Sequence, residues 1–413
     1  MVGAFDVVVR DAYLQDRDEV LDVGIADGRI ERLAATIDAA GDVEVDAEGN
    51  LVSPGFVDAH AHLDQALSVA GERQPKHNED PFRKDRSLAL SREYFASASR
   101  GSIEDAVVET ARMAVSHGVL HARTHTYVDD DVGTKSVKAV ESARERLAGL
   151  VDVQSVAFPQ QGVLAGETRR VLRDGVRAGA DLIGGLDPAS VNRDVEGTLD
   201  AWLSLASDLD VDLDVHLHES GSLGLYTLDR LLARIEEYGY EGRVTASHCY
   251  ALADAATGRS DVPGGSFETL LQWIDDVDLN VVTCYLSTPS GMPVRTLQDR
   301  GIALGHGSDQ IRDFWLVHGN IDPLEEALIQ SLTLGTDYEF TTNHGLDRLW
   351  RMLTTGGASV LGIEDGYGLD AGTPADLVVH DSPSRQWAIV EQGSPRVVMK
   401  NGRIVARNGE IVG

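Results

Sequence analysis

Residues 53–64 read Ser53-Pro-Gly-Phe-Val-Asp-Ala-His60-Ala-His62-Leu-Asp64. The run Gly55–Ala59 predicts a short buried strand, opened by a Pro-Gly turn signal and carrying apolar and β-branched residues. His60 and His62 continue it two residues apart, and such residues on an extended chain face the same side. Two imidazoles on one face at a strand end suit a divalent cation. Taken alone, H-x-H also fits two surface histidines that merely alternate.

Working outward, seven more strand candidates follow: Val119–His125, Asp152–Phe158, Asp181–Gly185, Val211–Leu217, Arg243–Ser247, Asn280–Cys284 and Ile302–Leu304. Helix-like segments alternate with them, among them Ile103–His117, Glu167–Ala178, Leu225–Tyr238, Phe267–Asp275 and Leu324–Leu334. Eight strands, each followed by a helix, predict an α/β fold, a (β/α)8 TIM barrel over residues 54–370. Both ends read as β instead. Phe5–Arg10, Val20–Ile25 and Ile30–Leu33 surround the turn Asp27-Gly28, and Ala375–His380, Val397–Lys400 and Arg403–Val405 surround Asn401-Gly402. Residues 1–53 and 371–413 are therefore expected to form one small β-sandwich domain. The gap after the first barrel strand is long, and Gly71–Ser91 is polar. An insertion over residues 64–100 reads as a solvated loop or as a lid over an active site.

Bulk properties exclude several classes. The 413 residues hold 36 Lys plus Arg against 67 Asp plus Glu, a formal charge of −31. Such a field repels nucleic acid and anionic membranes as partners. Only Lys76, Lys84, Lys135, Lys138 and Lys400 are lysines, which points to a halophilic protein in a saline cytoplasm; an acidic protein of an ordinary cell with a GC-rich genome is the plainer alternative. No apolar run approaches the roughly 20 residues of a membrane span. The start, MVGAFDVVVRDAY, has acidic residues where a secretory signal would be positive, so a cytoplasmic location is expected. Cys249 and Cys284 are the two cysteines; they exclude a disulfide scaffold, a Cys-rich zinc site and the zinc deaminases built on P-C-x-x-C.

His125, His216, His218 and His248 all fall at or near C-terminal strand ends, and Asp309 follows the eighth strand in Gly305-His-Gly-Ser-Asp309. Active sites of this barrel are assembled at that end. The Pro-Gly-Phe-Val-Asp-Ala-His-Ala-His stretch, His216-x-x-Glu219, Ser247-His248 and Gly-Ser-Asp309 resemble the amidohydrolase superfamily. Val156-Ala-Phe-Pro-Gln160, Arg243-Val-Thr-Ala-Ser-His248 and Asp309-x-x-x-Asp313-x-Trp315 resemble its cytosine deaminase group. Gly372-Thr-Pro-Ala-Asp-Leu-Val-Val379 is similar to the family's return into the small β domain.

The resemblance implies that His60, His62, His216 and Asp309 hold one divalent ion per chain, Zn or Fe, with Mn compatible. The bridging lysine of two-metal relatives has no counterpart, since no Lys occurs between Lys138 and Lys400. It implies Glu219 and His248 beside the attacking water, with Asp309 taking the water proton, Glu219 protonating the ring and His248 stabilising the tetrahedral intermediate. Gln160 would read adjacent ring N–H and C=O groups. Gln310 stands where bacterial cytosine enzymes carry a second Asp, and Trp315 either walls the pocket or belongs to the core. His218 occupies a position where relatives often have Asp and reads as support for a ligand or as a satisfied bystander. Arg123 fits a salt bridge inside the barrel, while His125, His306 and His318 receive no role.

The expected activity is metal-dependent hydrolytic deamination of a free nitrogen heterocycle in pyrimidine metabolism, cytosine leading, with water as co-substrate and ammonia released. Isocytosine, an ammelide-type triazine, a pterin or a ring-opening cyclic amide are the alternatives. A silent scaffold is disfavoured because all the ligand and acid–base positions are filled. A homo-oligomer is compatible with the sequence.

The charge balance makes a direct prediction. Salt screens like charges over about 10 Å at 0.1 M and about 3 Å at 1 M. Thermal midpoints should therefore climb steeply from low to molar KCl, and a flat profile would make the acidic surface incidental.

Overall fold

The computed structural model describes residues 5–70, 83–335 and 338–412. Eight parallel strands pair in chain order: Phe56–Ala61, Val119–Val128, Asp152–Pro159, Leu182–Leu186, Asp212–His216, Val244–Ser247, Asn280–Cys284 and Leu304–Gly307. The ring closes where Asp309 N donates to His60 O at 2.9 Å and His62 N donates to Asp309 O at 3.0 Å. Closure is tight: a Cβ on Gly307 would lie 2.4 Å from His60 O and 2.5 Å from His60 Cβ, so only glycine fits.

Helices coat the barrel because each has one apolar face. Gly221–Tyr238 buries Leu225, Leu228, Leu231, Leu232 and Ile235, a helical stripe. Val195–Leu209 starts where the Asp194 carboxylate accepts from Gly197 N, a side-chain cap worth about 1 kcal/mol. That helix seats fully buried Trp202 over the fourth strand, where a Cβ at Gly185 would lie 2.1 Å from the indole.

The terminal segments form two small sheets. One holds Phe5–Leu14, Glu19–Ala26, Arg29–Ala34 and Gly41–Asp46; the other holds Val52–Pro54, Leu377–Val379, Val397–Lys400, Arg403–Arg407 and Glu410–Ile411. Val7, Val9, Ile25 and Ile30 of the first pack with Val52, Leu377, Val379 and Met399 of the second, the shared core of a sandwich.

Two expectations change. Of the polar stretch Gly71–Ser91, residues 71–82 lie outside the described residues, and Lys84–Ser97 is a helix rather than a loop. Phe95 anchors it, stacked on Tyr127 with ring centroids 4.2 Å apart. The eighth strand runs Leu304–Gly307 instead of Ile302–Leu304, because close packing demands Gly305 and Gly307, residues of low strand propensity. Helices Lys135–Leu147 and Asn343–Met352 were not foreseen either.

Lys400, in the C-terminal sheet, is almost fully buried and donates to Asp376 at 2.6 Å and to Asp152, on the third barrel strand, at 2.5 Å. Burial pushes the Asp376 carboxyl up, but hydrogen bonds from His121 and Lys400 outweigh it and bring it down to about 2. A carboxylate so depressed stabilises the fold at neutral pH, and that contribution is lost as pH falls from about 4 toward 2. Lys400→Met should lower the unfolding free energy by about 3 kcal/mol by leaving a buried charge unpaired. Urea titration at pH 7 reads this; an unchanged midpoint would refute the clamp.

Candidate active site

The expected ligands converge at the C-terminal mouth of the barrel. His62 Nε2 lies 3.5 Å from Asp309 Oδ1, His60 Nε2 lies 3.8 Å from the same oxygen, and His216 Nε2 lies 3.2 Å from His62 Nε2. All three imidazoles are buried, and burial first, then the neighbouring His125, holds each well below the usual histidine range. They are therefore neutral, with lone pairs available.

The surroundings aim those lone pairs. Arg123 Nη1 donates to Asp214 Oδ2 at 3.0 Å, which is the barrel-interior salt bridge expected for Arg123. The Ser247 hydroxyl donates to Asp214 Oδ1 at 2.7 Å, so its oxygen is left to accept from His60 Nδ1 at 2.8 Å. With Nδ1 carrying the proton, His60 Nε2 is a free donor atom; it is buried and has no hydrogen-bond partner. His62 Nδ1 likewise donates to His125 O at 3.2 Å, freeing Nε2. Imidazole nitrogens and a carboxylate brought together in this way fit a divalent cation. His60, His62 and Asp309 form one such group, and His60, His216 and His248 another.

The backbone is strained here. Asp187, His248, Cys249 and Asp309 all have positive φ, at 37°, 69°, 41° and 60°. Non-glycine residues held this way cost free energy and cluster at functional sites. Burial pushes the Asp309 carboxyl up, while His218, Gln310 and Ser287 pull against it. His248 Nδ1 contacts Ser287 Oγ at 3.2 Å, and that hydroxyl reaches Asp309 Oδ2 at 3.3 Å.

A cavity of about 570 Å³ opens over this cluster. Phe158, Leu186, Leu286, Trp315 and Leu316 supply apolar wall, and Gln160, His218 and Gln310 supply polar groups. Gln160 is buried, and its Oε1 has no partner. Trp315 serves both expected purposes, because it lines the cavity while packing with the cluster around Phe95 and donating Nε1–H to Ser91 Oγ.

Two of the expected site residues are held in hydrogen bonds of their own. Glu219 does not line the cavity: Oε1 accepts from Ser190 N and Oε2 from Thr227 Oγ1, both at 2.7 Å. On the chain leaving the fifth strand, His216 and His218 line the cavity, while Glu219 is held behind Ser190, itself a lining residue. Gln310 does line it, but its amide is committed. Nε2 donates to Asp309 Oδ1 at 2.9 Å and Oε1 accepts from Gln65 Nε2 at 2.7 Å, so it orients a ligand rather than reading a ring.

Other residues emerge from the geometry alone. Asp187, fully buried, accepts from His218 N at 2.7 Å and contacts His218 Nδ1 at 3.1 Å. Burial pushes its carboxyl up, but His218 and Lys84 outweigh that and leave it well below the usual range. His218 also stacks on His248, centroids 4.2 Å apart. A carboxylate directly after the fourth strand was the overlooked signal for Asp187. His125 packs beneath His60, centroids 4.1 Å apart, with neither ring nitrogen hydrogen-bonded. His318 lines the cavity, and His306 is paired with Glu326 at 2.6 Å outside it.

Comparison with known proteins agrees with this arrangement. The sequence pattern of the amidohydrolase family matches residues 85–412. The chain is 44% identical over 409 residues to N-isopropylammelide isopropyl amidohydrolase of Pseudomonas sp. (strain ADP), covering 99% of each. It is 28% identical to pterin deaminase of Rhizobium rhizogenes, over 94% of this chain and 88% of that one. The crystal structure of N-isopropylammelide isopropylaminohydrolase from Burkholderia multivorans superposes with a TM-score of 0.87 at 32% identity, covering 98% of this chain and 99% of that one. With a barrel of this topology, a histidine–aspartate centre at its mouth and matches that span the chain, the protein belongs to the amidohydrolase family, hydrolases of carbon–nitrogen bonds other than peptide bonds.

Proposed function

We propose that this enzyme, with one divalent ion held by His60, His62, His216 and Asp309, hydrolyses the exocyclic amine from an oxo-substituted nitrogen heterocycle of the ammelide type, with cytosine a poorer substrate. The observation that carries this reading is the convergence of His60, His62, His216 and Asp309 beneath a cavity presenting the unpartnered Gln160 Oε1. The substrate class is supported by the 44% identity to the Pseudomonas enzyme. It is also supported by Gln310, whose committed amide leaves the apolar Trp315 and Leu316 nearby to accept an alkyl group on the leaving nitrogen.

A divalent ion at such a site lowers the pKa of water from roughly 15.7 to about 7 and so supplies the nucleophile. The chain does the rest. Gln160 holds the ring flat by pairing with adjacent N–H and C=O groups, since a carboxamide both donates and accepts. Asp309, oriented by Gln310 and Ser287, takes the proton of the attacking water and passes it to the leaving amine. His218 donates to the ring nitrogen beside the attacked carbon, its ring oriented by the Asp187 carboxylate at Nδ1. His248, braced by Ser287 and stacked on His218, stabilises the oxygen charge that develops in the transition state.

Four outcomes test this reading. Chelator-washed protein should retain close to one tightly held ion per chain by elemental analysis, and His62→Ala should lose it; two ions, both needed for activity, would refute the centre. His218→Gln should cut kcat by about 10² to 10⁴-fold with metal retained, the usual worth of a general acid. Glu219→Gln should keep most of kcat but lower thermal stability, because an amide cannot accept from both Ser190 N and Thr227; the reverse pattern would return the acid role to Glu219. Finally, kcat/KM for N-isopropylammelide should exceed that for cytosine, and a preference for cytosine would overturn the substrate class.

A further inference from the structure

Lys84 begins the helix Lys84–Ser97 at the rim of the cavity, and its Nζ donates to Asp187 Oδ2 at 2.8 Å. The carboxylate end of this pair is sealed, whereas the lysine side chain is 48% exposed. An ammonium has three N–H donors, and among the described residues Asp187 is the one acceptor it meets. Lys84 is also the one Lys or Arg among the described residues lining the cavity. As a structural tie it is redundant, since Asp187 already meets the backbone N–H and ring of His218. Half-exposed ion pairs also contribute little to stability.

Its neighbours show what the spare donors face. Leu88 lies one helical turn after Lys84, on the same helix face. Leu88 lines the cavity, and it also lines, together with Gln160, an adjoining recess of about 270 Å³. Lys84, Leu88 and Gln160 thus border one cavity. Gln160 supplies an unpartnered acceptor, Oε1, and a donor, Nε2; Lys84 adds a second donor. Donor, acceptor, donor is the complement of a ring edge that reads C=O, N–H, C=O.

We propose that Lys84 is a substrate-binding, specificity-determining residue whose ammonium donates to the second carbonyl of an oxo–NH–oxo ring edge, the N–H of that edge being taken by Gln160. The inference rests on the function proposed above and refines its substrate class. Rings of the imide type are selected, and cytosine, whose ring N–H has a carbonyl on one side only, leaves Lys84 without its acceptor. A site built to hydrogen-bond a group discriminates strongly against analogues lacking it.

The experiment uses two neutral, unreactive rings and the metal-loaded enzyme. Uracil offers the full oxo–NH–oxo edge, and 2-pyridone offers one carbonyl beside its N–H. Calorimetric Kd values are measured for both with wild type and Lys84→Met, alongside metal content and thermal midpoint. The variant should weaken uracil by about 10- to 100-fold, the range for hydrogen bonds to charged groups, and leave 2-pyridone within about twofold. KM for N-isopropylammelide should rise by a similar factor, with kcat changing much less. Equal weakening of both rings, or of neither, overturns the assignment; so does a loss of metal or of thermal stability that accounts for the weakening. If wild type binds neither ring, the ring-binding reading itself falls, a result distinct from a failure of Lys84 alone.

Discussion

Everything at the mouth of this barrel depends on how its first and last strands meet. His60 O and Asp309 N, then Asp309 O and His62 N, form two successive backbone hydrogen bonds across the seam. Three of the four proposed ligand residues thus sit on the atoms that close the barrel. Their side chains need no long lever to converge, because the pairing itself brings Asp309 Oδ1 within 4 Å of both Nε2 atoms. His216 arrives from across the ring on the fifth strand, and the buried Arg123, Asp214 and Ser247 chain turns His60 to face it. Folding and ligand assembly are one event.

A second layer of constraint acts on proton traffic. The residues around the cluster are paired so that each reactive atom has one assigned partner: Ser247 for His60, the His125 carbonyl for His62, Asp187 for His218, and Gln310 with Ser287 for Asp309. Buried polar networks are costly unless satisfied. Among the buried atoms left without hydrogen-bond partners are His60 Nε2, His248 Nε2 and Gln160 Oε1. The positive φ values at Asp187, His248 and Asp309 place this strain at the same positions.

The legible and illegible parts of this molecule divide along physical lines. Period-two geometry placed His60 with His62, and strand-end position picked out His216, His248 and Asp309, because both follow from a regular backbone. Direction was lost as soon as the strand ended. The spacing His216-x-x-Glu219 is a distance along the chain, and the irregular residues after His216 send His218 inward and commit Glu219 to Ser190 and Thr227. The helix Lys84–Ser97 was obscured by its polar composition, since it buries little beyond Phe95, Ser87 and Ser91. The eighth strand was blurred by Gly305 and Gly307, which are there for close approach rather than for propensity. Asp187 follows Gly184-Gly185-Leu186 and carries no local periodic signal; only the fold brings it to His218.

The glycine at the seam carries a consequence for how such an enzyme changes over time. With the His60 backbone pressed against Gly307, a side chain at position 307 would part the seam that carries the centre. The cavity walls answer to a different rule: Leu88, Trp315, Leu316 and Leu286 lie on segments outside the barrel strands, where a substitution leaves the seam untouched. New substrates are therefore reached by altering the rim while the chemistry stays still. Random mutagenesis selected for a new ring should collect its gains in those connecting segments and leave the strand ends silent.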